Sequence, residues 1–317
     1  MTKYIFKRLV QATIMIFLIS IISFMLMHMA PGDPATSYIS PKMNAQEIQM
    51  VRERLGLNAP VHVQYLKWLQ NVLKGDLGFS LINFKPVKEI IAVRMPATIG
   101  LMGSALIISL IISIPLGMYT ARKKGTFIDN IVTTISYIGI SIPSFWFGII
   151  LIYIFAFKLH LLPSVGMRTI GVENSAIDLI KHAILPCTVL SFYNIAVYTR
   201  FIRSNTIIEL SQNYVKTEEA YGFSKYKIMF EYVLKNVCLP IITILGMSLP
   251  SLVTGAFVTE TVFGWPGMGR LGVNSIFNYD YPVIMATTML TAILLIVGNL
   301  LADILYGVVD PRIRSER

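Results

Sequence analysis

The chain has 317 residues, 55% of them hydrophobic and only 14% charged, and its mean hydropathy is +0.65. Soluble domains carry about a quarter charged residues, so a soluble enzyme or soluble binding module is excluded and a multi-span membrane protein is expected. The formal net charge of +10 would point to nucleic acid in a soluble chain; in a membrane chain its distribution among the loops matters more than its total.

Met1 to Leu9 carries Lys3, Lys7 and Arg8 and no acid, and Val10 to Ala30 has no formal charge, with His28 its one ionisable side chain. That run is long enough to span a bilayer, whereas a cleaved signal peptide would have a shorter apolar core followed by a small-residue site. Pro31 to Pro96 is the largest polar segment. It predicts an amphipathic helix over Ala45–Leu55, with Asn44 as N-cap and Gly56 as its stop, and a second over Val63–Leu73, ending before Gly75. Its apolar content is too thin for a core of its own.

Thr98 to Ala121 is the second expected span, with Pro115-Leu116-Gly117 inside it and Arg122, Lys123 and Lys124 directly after. Ile131 to Phe157 is the third, broken by Gly139-Ile140-Ser141-Ile142-Pro143. Membrane helices tolerate such breaks where neighbours satisfy the freed backbone groups. Ile184 to Thr199 is the fourth, followed by Arg200 and Arg203. Ile241 to Val262 is the fifth, the glycine-rich aromatic link Phe263–Pro282 follows, and Val283 to Tyr306 is the sixth. The chain thus divides into 1–30, an outer segment 31–96, a permeation core 97–309 containing the loop 200–240 and the link 263–282, and a tail 310–317.

Six spans place both termini on one side. On that side lie three basic residues before the first span, three at 122–124, six between Arg200 and Lys235 and three in the tail, fifteen in all, against Lys158, Arg168, Lys181 and Arg270 in the short connections opposite. The excess marks the cytoplasm. The segment 31–96 is left out because long loops translocate largely regardless of charge.

Asn213 to Pro240 is the long polar interruption of the second half. It predicts a short helix over Tyr214–Tyr221, a stop at Gly222, where a left-handed backbone costs glycine nothing, and a second helix. In that helix Tyr226, Met229, Phe230, Val233, Leu234 and Val237 form one apolar stripe, and Leu239-Pro240 closes it. A helix-turn-helix would read similarly, with Lys225 and Lys227 towards phosphates. The flanking membrane-length segments exclude that reading, and with it nucleic acid as a partner.

No G-x-x-x-x-G-K-[ST] loop, HExxH helix, paired-cysteine metal signature or G-x-S-x-G elbow occurs. The chain is therefore expected to be no enzyme and to hold no nucleotide, cofactor or metal. His28, His62, His160 and His182 are scattered, and Cys187 and Cys238 fall near opposite faces, which predicts two apolar fillers rather than a disulfide. Glu260, near the outer end of the fifth span, is either a pathway or gate residue facing Arg270 or a headgroup-level acid. Asp303 reads as an anchor of the sixth span.

These residues carry a wider pattern. It includes Tyr4-Ile5 with Arg8-Leu9, Pro31-Gly32-Asp33-Pro34, Arg54-Leu55-Gly56-Leu57, Gln64-Tyr65 with Trp68-Leu69, and Gly75-Asp76-Leu77-Gly78. It continues through Arg94-Met95-Pro96-Ala97-Thr98, Ser141-Ile142-Pro143-Ser144-Phe145-Trp146, Thr259-Glu260-Thr261-Val262-Phe263 and Pro266-Gly267-Met268-Gly269-Arg270-Leu271. Asp280-Tyr281-Pro282, Asn299-Leu300, Asp303, Tyr306 and Asp310-Pro311-Arg312 complete it. In this order the set resembles the inner-membrane permease subunits of peptide/nickel ABC importers, and looks closest to the first of the paired oligopeptide or dipeptide permeases.

The resemblance implies an all-α, six-span type I importer permease of the bacterial plasma membrane, in contact with lipid. Its implied partners are a second, homologous permease, two ATPase subunits that bind ATP and Mg, and an extracytoplasmic substrate-binding protein. In such permeases a cytoplasmic loop carries a Glu-Ala-Ala-type signature and a downstream glycine. Here Tyr214, Val215, Lys216, Thr217, Glu218, Glu219, Ala220, Gly222, Phe223 and Ser224 occupy it and are assigned to ATPase coupling. Glu218 and Glu219 stand where small or basic residues are usual. Glu260, Phe263, Trp265 and Arg270, with Pro143 and Trp146, are assigned to the pathway or outer gate. The implied cargo is peptide. The rivals are a nickel or metal–chelator cargo on the same architecture and a self-contained secondary transporter, which would need a coupling-ion site and an inverted repeat.

Overall fold

A computed structural model describes residues 2–29, 43–54, 58–172 and 175–309. The Pro31–Pro34 motif, the Leu55–Leu57 stretch with the Gly56 stop, and the tail with Asp310-Pro311-Arg312 lie outside the described residues, as do the side chains of Cys238 and Asp303. The described chain is helical and forms no sheet; a single bridge pairs Phe79 with Pro86.

Helix α1 covers Thr2–Met29. Helix α2, Ala45–Arg54, starts on a reciprocal capping box: Glu47 N–H donates to Asn44 Oδ1 and Asn44 N–H to Glu47 Oε2, both at 2.8 Å, which satisfies two orphan donors at once. Helix α3, Val61–Leu73, lies along α1. Tyr65 Oη is 2.8 Å from Ser20 Oγ, and Phe24 packs edge-on to the Tyr65 ring at 5.4 Å.

Helix α4, Val87–Arg122, begins eleven residues before the apolar run at Thr98. The end of the 31–96 segment is thus continuous with the second span rather than a separate loop, because Pro86 opens the helix and Pro96 sits inside it without breaking it. Helix α5, Phe127–Ser141, and helix α6, Ser144–Leu151, with a π-helical continuation Ile152–Lys158, meet at 99° across Ile142-Pro143. The third expected span is therefore a sharply bent pair. Helix α7 runs Ala176–Leu210, about 50 Å at 1.5 Å per residue, far beyond the sixteen residues expected of the fourth span.

Helix α8, Asn213–Ala220, and helix α9, Lys225–Lys227, flank Gly222. A π-helical turn Ile228–Val233 leads into α10, Leu234–Thr254. The expected stop at Leu239-Pro240 does not occur: α10 runs through both residues, as membrane helices do where neighbouring helices take up the freed backbone group. The fifth expected span, Ile241–Val262, is instead broken at Gly255, and α11 covers Phe257–Val262. Helix α12, Met268–Phe277, and helix α13, Tyr281–Val309, complete the chain.

Among the described residues four helices are long and apolar enough to cross a membrane, and the α5–α6 pair makes a fifth if it counts as one span. Helix α4 packs along α7 more extensively than any other pair, α10 lies along α13, and α1 lies against α13. Large apolar side chains such as Ile107, Ile111 and Ile14 remain exposed, as lipid-facing surfaces require.

Candidate functional site

The α8–α9 hairpin stands on the end of the bundle where α4, α7 and α10 converge. Val215 is its buried residue, packed with Met118, Tyr198, Ile202, Ile228, Met229, Val233, Val237 and Ile241. The stripe differs from the one read in the sequence: Ile228 is buried, while Tyr226 and Phe230 are 67% and 60% exposed. The π-helical turn explains the change. Its hydrogen bonds run i→i+5 rather than i→i+4, which widens the turn and shifts the helical register, so the inward face passes to 228, 229, 233 and 237.

The rest of the hairpin points away from the bundle. Lys216, Thr217, Glu219, Ala220, Gly222, Phe223 and Ser224 are exposed, Tyr214 and Glu218 half-buried, and Tyr221 is 77% exposed. Lys216, Thr217, Ala220 and Tyr221 frame a shallow depression. Gly222 adopts φ +81° with open space around its Cα, so its conformation, not crowding, selects glycine.

A polar knot missed in the sequence fastens this hairpin. Tyr214 Oη donates to Glu209 Oε2 at 2.7 Å, and Asn236 Nδ2 donates to the same carboxylate oxygen at 3.1 Å and to Tyr214 Oη at 3.2 Å. Burial, then the Glu209 carboxylate, push the Tyr214 phenol up to about 12. Three residues spread over 27 positions meet here, and no local pattern announces such a contact. Nearby, Asp129 at the start of α5 accepts from Arg203 Nε at 2.5 Å and Nη2 at 2.7 Å and from Gly125 N–H at 2.9 Å. This ties the 122–126 turn to α7. An acid at the start of a span, surrounded by Arg122 to Lys124, was the available signal.

At the opposite end the 263–282 link folds around Glu260. The Glu260 side chain has no exposure. It accepts from Thr98 Oγ1 and from Arg270 N–H, both at 2.9 Å, and Met268 N–H donates to Thr98 Oγ1 at 2.7 Å. Arg270 therefore meets Glu260 through its backbone; its guanidinium donates to Gly264 O at 2.7 Å instead. A Cβ at Gly255 or Gly267 would strike the Glu260 carboxyl group, and Gly255 has φ +77°. Both glycines keep the backbone close enough to wrap this acid. Trp265 Nε1 donates to Ala97 O at 2.9 Å, and Phe263 and Trp265 are buried. Asp280 accepts from Ser80 Oγ at 2.5 Å and Leu81 N–H at 3.0 Å, pinning the 79–86 turn to the start of α13.

A cavity of about 510 Å³ opens between the two helix breaks, bounded by Ile142, Pro143 and Ser144 on one side, Ala256 to Thr259 on another and α7 behind. Of the six residues assigned to the pathway or gate, Pro143 lines it. Glu260, Phe263 and Trp265 are packing and hydrogen-bonding supports of the link in this structure, Arg270 is half-buried beside them, and Trp146 is an exposed residue of α6. Among the described residues no group of three or more His, Cys, Asp or Glu side chains is placed to hold a metal. Cys187 is a buried free thiol in the α4–α7 contact.

Comparison with known proteins identifies the family. Residues 113–315 match the family described as binding-protein-dependent transport system inner membrane component, and residues 1–102 match the N-terminal region of such membrane components. The chain is 44% identical over 314 residues, 99% of each chain, to the oligopeptide transport system permease protein AppB of Bacillus subtilis. It is 35% identical over 314 residues, again 99% of each, to the glutathione transport system permease protein GsiC of Escherichia coli K12. Among solved structures it shares the fold of a chain in the inward-facing MetNI methionine ABC transporter, with TM-score 0.56 and 16% identity over 70% of this chain and 97% of that one. This multi-pass protein of the bacterial plasma membrane thus belongs to the family of binding-protein-dependent transport system inner-membrane components, in the peptide class of ABC importer permeases.

Proposed function

We propose that this protein is one half of the pore of an ATP-driven peptide importer, with six spans and both termini in the cytoplasm. A second, homologous permease completes the pore. Two ATPase subunits carry ATP and Mg, and a substrate-binding protein docks on the outer face formed by the 31–96 segment and the 263–282 link. The observation that carries the reading is the α8–α9 hairpin. Its one buried residue, Val215, and the Tyr214–Glu209–Asn236 knot root it in α7 and α10, while the surface around Tyr221 and Gly222 stays exposed. A hairpin rigidly joined to two long helices moves them when it is pushed, which is what rigid-body alternating access requires. The peptide cargo rests on the oligopeptide and glutathione permeases among the relatives.

The test is gentle purification of the tagged chain from its native membrane with mass spectrometry of what stays bound, followed by uptake assays in proteoliposomes. A second permease, two ATPases and ATP-dependent peptide uptake are expected. Recovery of the chain alone, or with copies of itself, removes the basis of the coupling role. Uptake of a nickel complex but no peptide replaces the cargo.

A further inference from the structure

The cavity between the helix breaks has a feature that the fold does not need. Asn194 lies on α7 about 27 Å from its start at Ala176 and about 24 Å from its end at Leu210, counted at 1.5 Å per residue. That is the middle of a membrane-crossing helix. The Asn194 side chain is half-buried, lines the cavity and makes no hydrogen bond among the described residues. An unpaired carboxamide in an apolar interior is unfavourable, so its place on this face calls for water or a ligand.

The surroundings say which ligand. Both interruptions of helical backbone, at Ile142-Pro143 and at Gly255-Ala256, border the same cavity. Irregular backbone at membrane depth persists where it is packed in protein or lines a water-filled space. Tyr193, Ser144 and Ser251 also line the cavity, and a Tyr198–Ser248 pair 3.5 Å apart bridges α7 to α10 at its back; the Ser248 and Ser251 hydroxyls donate to Ile244 O and Ser248 O and keep their acceptor lone pairs. None of its eighteen lining residues is charged. At about 510 Å³ it lies in the range of ligand sites. A charge-free, largely apolar wall that carries one carboxamide and a few hydroxyl groups matches groups that both donate and accept hydrogen bonds without carrying charge. Main-chain amides are such groups, and every peptide has them whatever its side chains.

We propose that Asn194, with Tyr193, Ser144, Ser248 and Ser251, forms a neutral mid-membrane station that hydrogen-bonds the main-chain amides of a passing peptide and so leaves side-chain charge undiscriminated. The station rests on the peptide-importer reading above. Its location is separate from that reading, because a hydrated path at Asn194 is required for any cargo.

The experiment uses the assembled importer with its binding protein. An Asn194→Cys variant, in a Cys187→Ala, Cys238→Ala background, is treated with a membrane-impermeant maleimide in each nucleotide state. Neutral, cationic and anionic tripeptides are then compared in uptake by Asn194→Leu and Asn194→Asp complexes of normal subunit composition. Expected are maleimide labelling that saturating tripeptide slows, a loss of about tenfold in uptake of all three peptides in Asn194→Leu, as one lost ligand hydrogen bond gives, and a preference for the cationic over the anionic peptide in Asn194→Asp. Absence of labelling in every state overturns the station, as does wild-type uptake by Asn194→Leu. If the wild-type complex carries no peptide while labelling persists, the main-chain role falls together with the peptide reading, and the hydrated path stands.

Discussion

Truncating Glu260 to alanine is expected to loosen the 263–282 link. In the structure the carboxyl group is the acceptor for Thr98 Oγ1 and for Arg270 N–H, at 2.9 Å each, and Thr98 in turn holds Met268 N–H. Thr98 and Glu260 have no solvent exposure, so water does not replace the lost partner without local opening. Two stranded donors at about 1–3 kcal/mol each sum to roughly 2–6 kcal/mol, and the cavity left by the removed carboxyl group adds to the loss. Glu260→Gln keeps one acceptor oxygen and the volume and puts an amide donor in place of the other. With its Oε1 towards the Arg270 N–H and its Nε2 towards Thr98, whose hydroxyl oxygen accepts, the variant loses the one Thr98 donor bond, about 1 kcal/mol. The assay is thermal unfolding of the detergent-purified complex, with peptide uptake measured in parallel. The expected order is wild type, Glu260→Gln, Glu260→Ala, the last falling by on the order of 5 °C or more. A Glu260→Ala complex that melts with the wild type while its peptide selectivity changes would refute this reasoning and return Glu260 to the pathway.

Three further outcomes follow from the geometry. A Cβ at Gly222 meets nothing within 4 Å among the described residues, but Gly222→Val pays about 1–2 kcal/mol for a left-handed backbone; the complex should assemble, hydrolyse ATP and lose most uptake, and normal uptake counts against a docking role. Tyr214→Phe removes the hydroxyl that joins Glu209 to Asn236 and should raise hydrogen exchange in α8 by about fivefold to tenfold, as one net hydrogen bond gives. Since the Tyr214 phenol is raised from 10.0 to about 12, its stabilisation should be fully present below pH 10 and fade only as pH climbs towards 12; ultraviolet titration of wild type against Tyr214→Phe reads this, and a tyrosinate forming near pH 10 would sink it. Asp129→Ala and Arg203→Ala should each destabilise, and the double variant should lose less than their sum by about 1–3 kcal/mol. Strict additivity in a thermal-shift cycle would mean that the ion pair is decorative.

The sequence by itself determined the membrane class, the all-helical fold, the position and Gly222 stop of the hairpin, the Asn44 cap and the break at Ile142-Pro143. Each depends on composition, on hydrophobic run length or on the backbone preferences of a few consecutive residues, which are local quantities. Tertiary structure alone decided the rest. Pro240 passes through α10 because neighbouring helices, not the local peptide, settle whether a proline ends a membrane helix. Ile228 replaces Tyr226 and Phe230 on the buried face because a π-helical turn resets the register, and hydrophobic spacing assumes a fixed pitch. Glu260 was legible as an unusual acid near the end of a span, but Thr98, 162 residues away, turns it into the centre of a buried knot. Asn194 was indistinguishable in the sequence from any polar residue on a long helix. Its meaning depends on which helix faces enclose a space, and that is decided only when α5, α7, α10 and α11 are packed together.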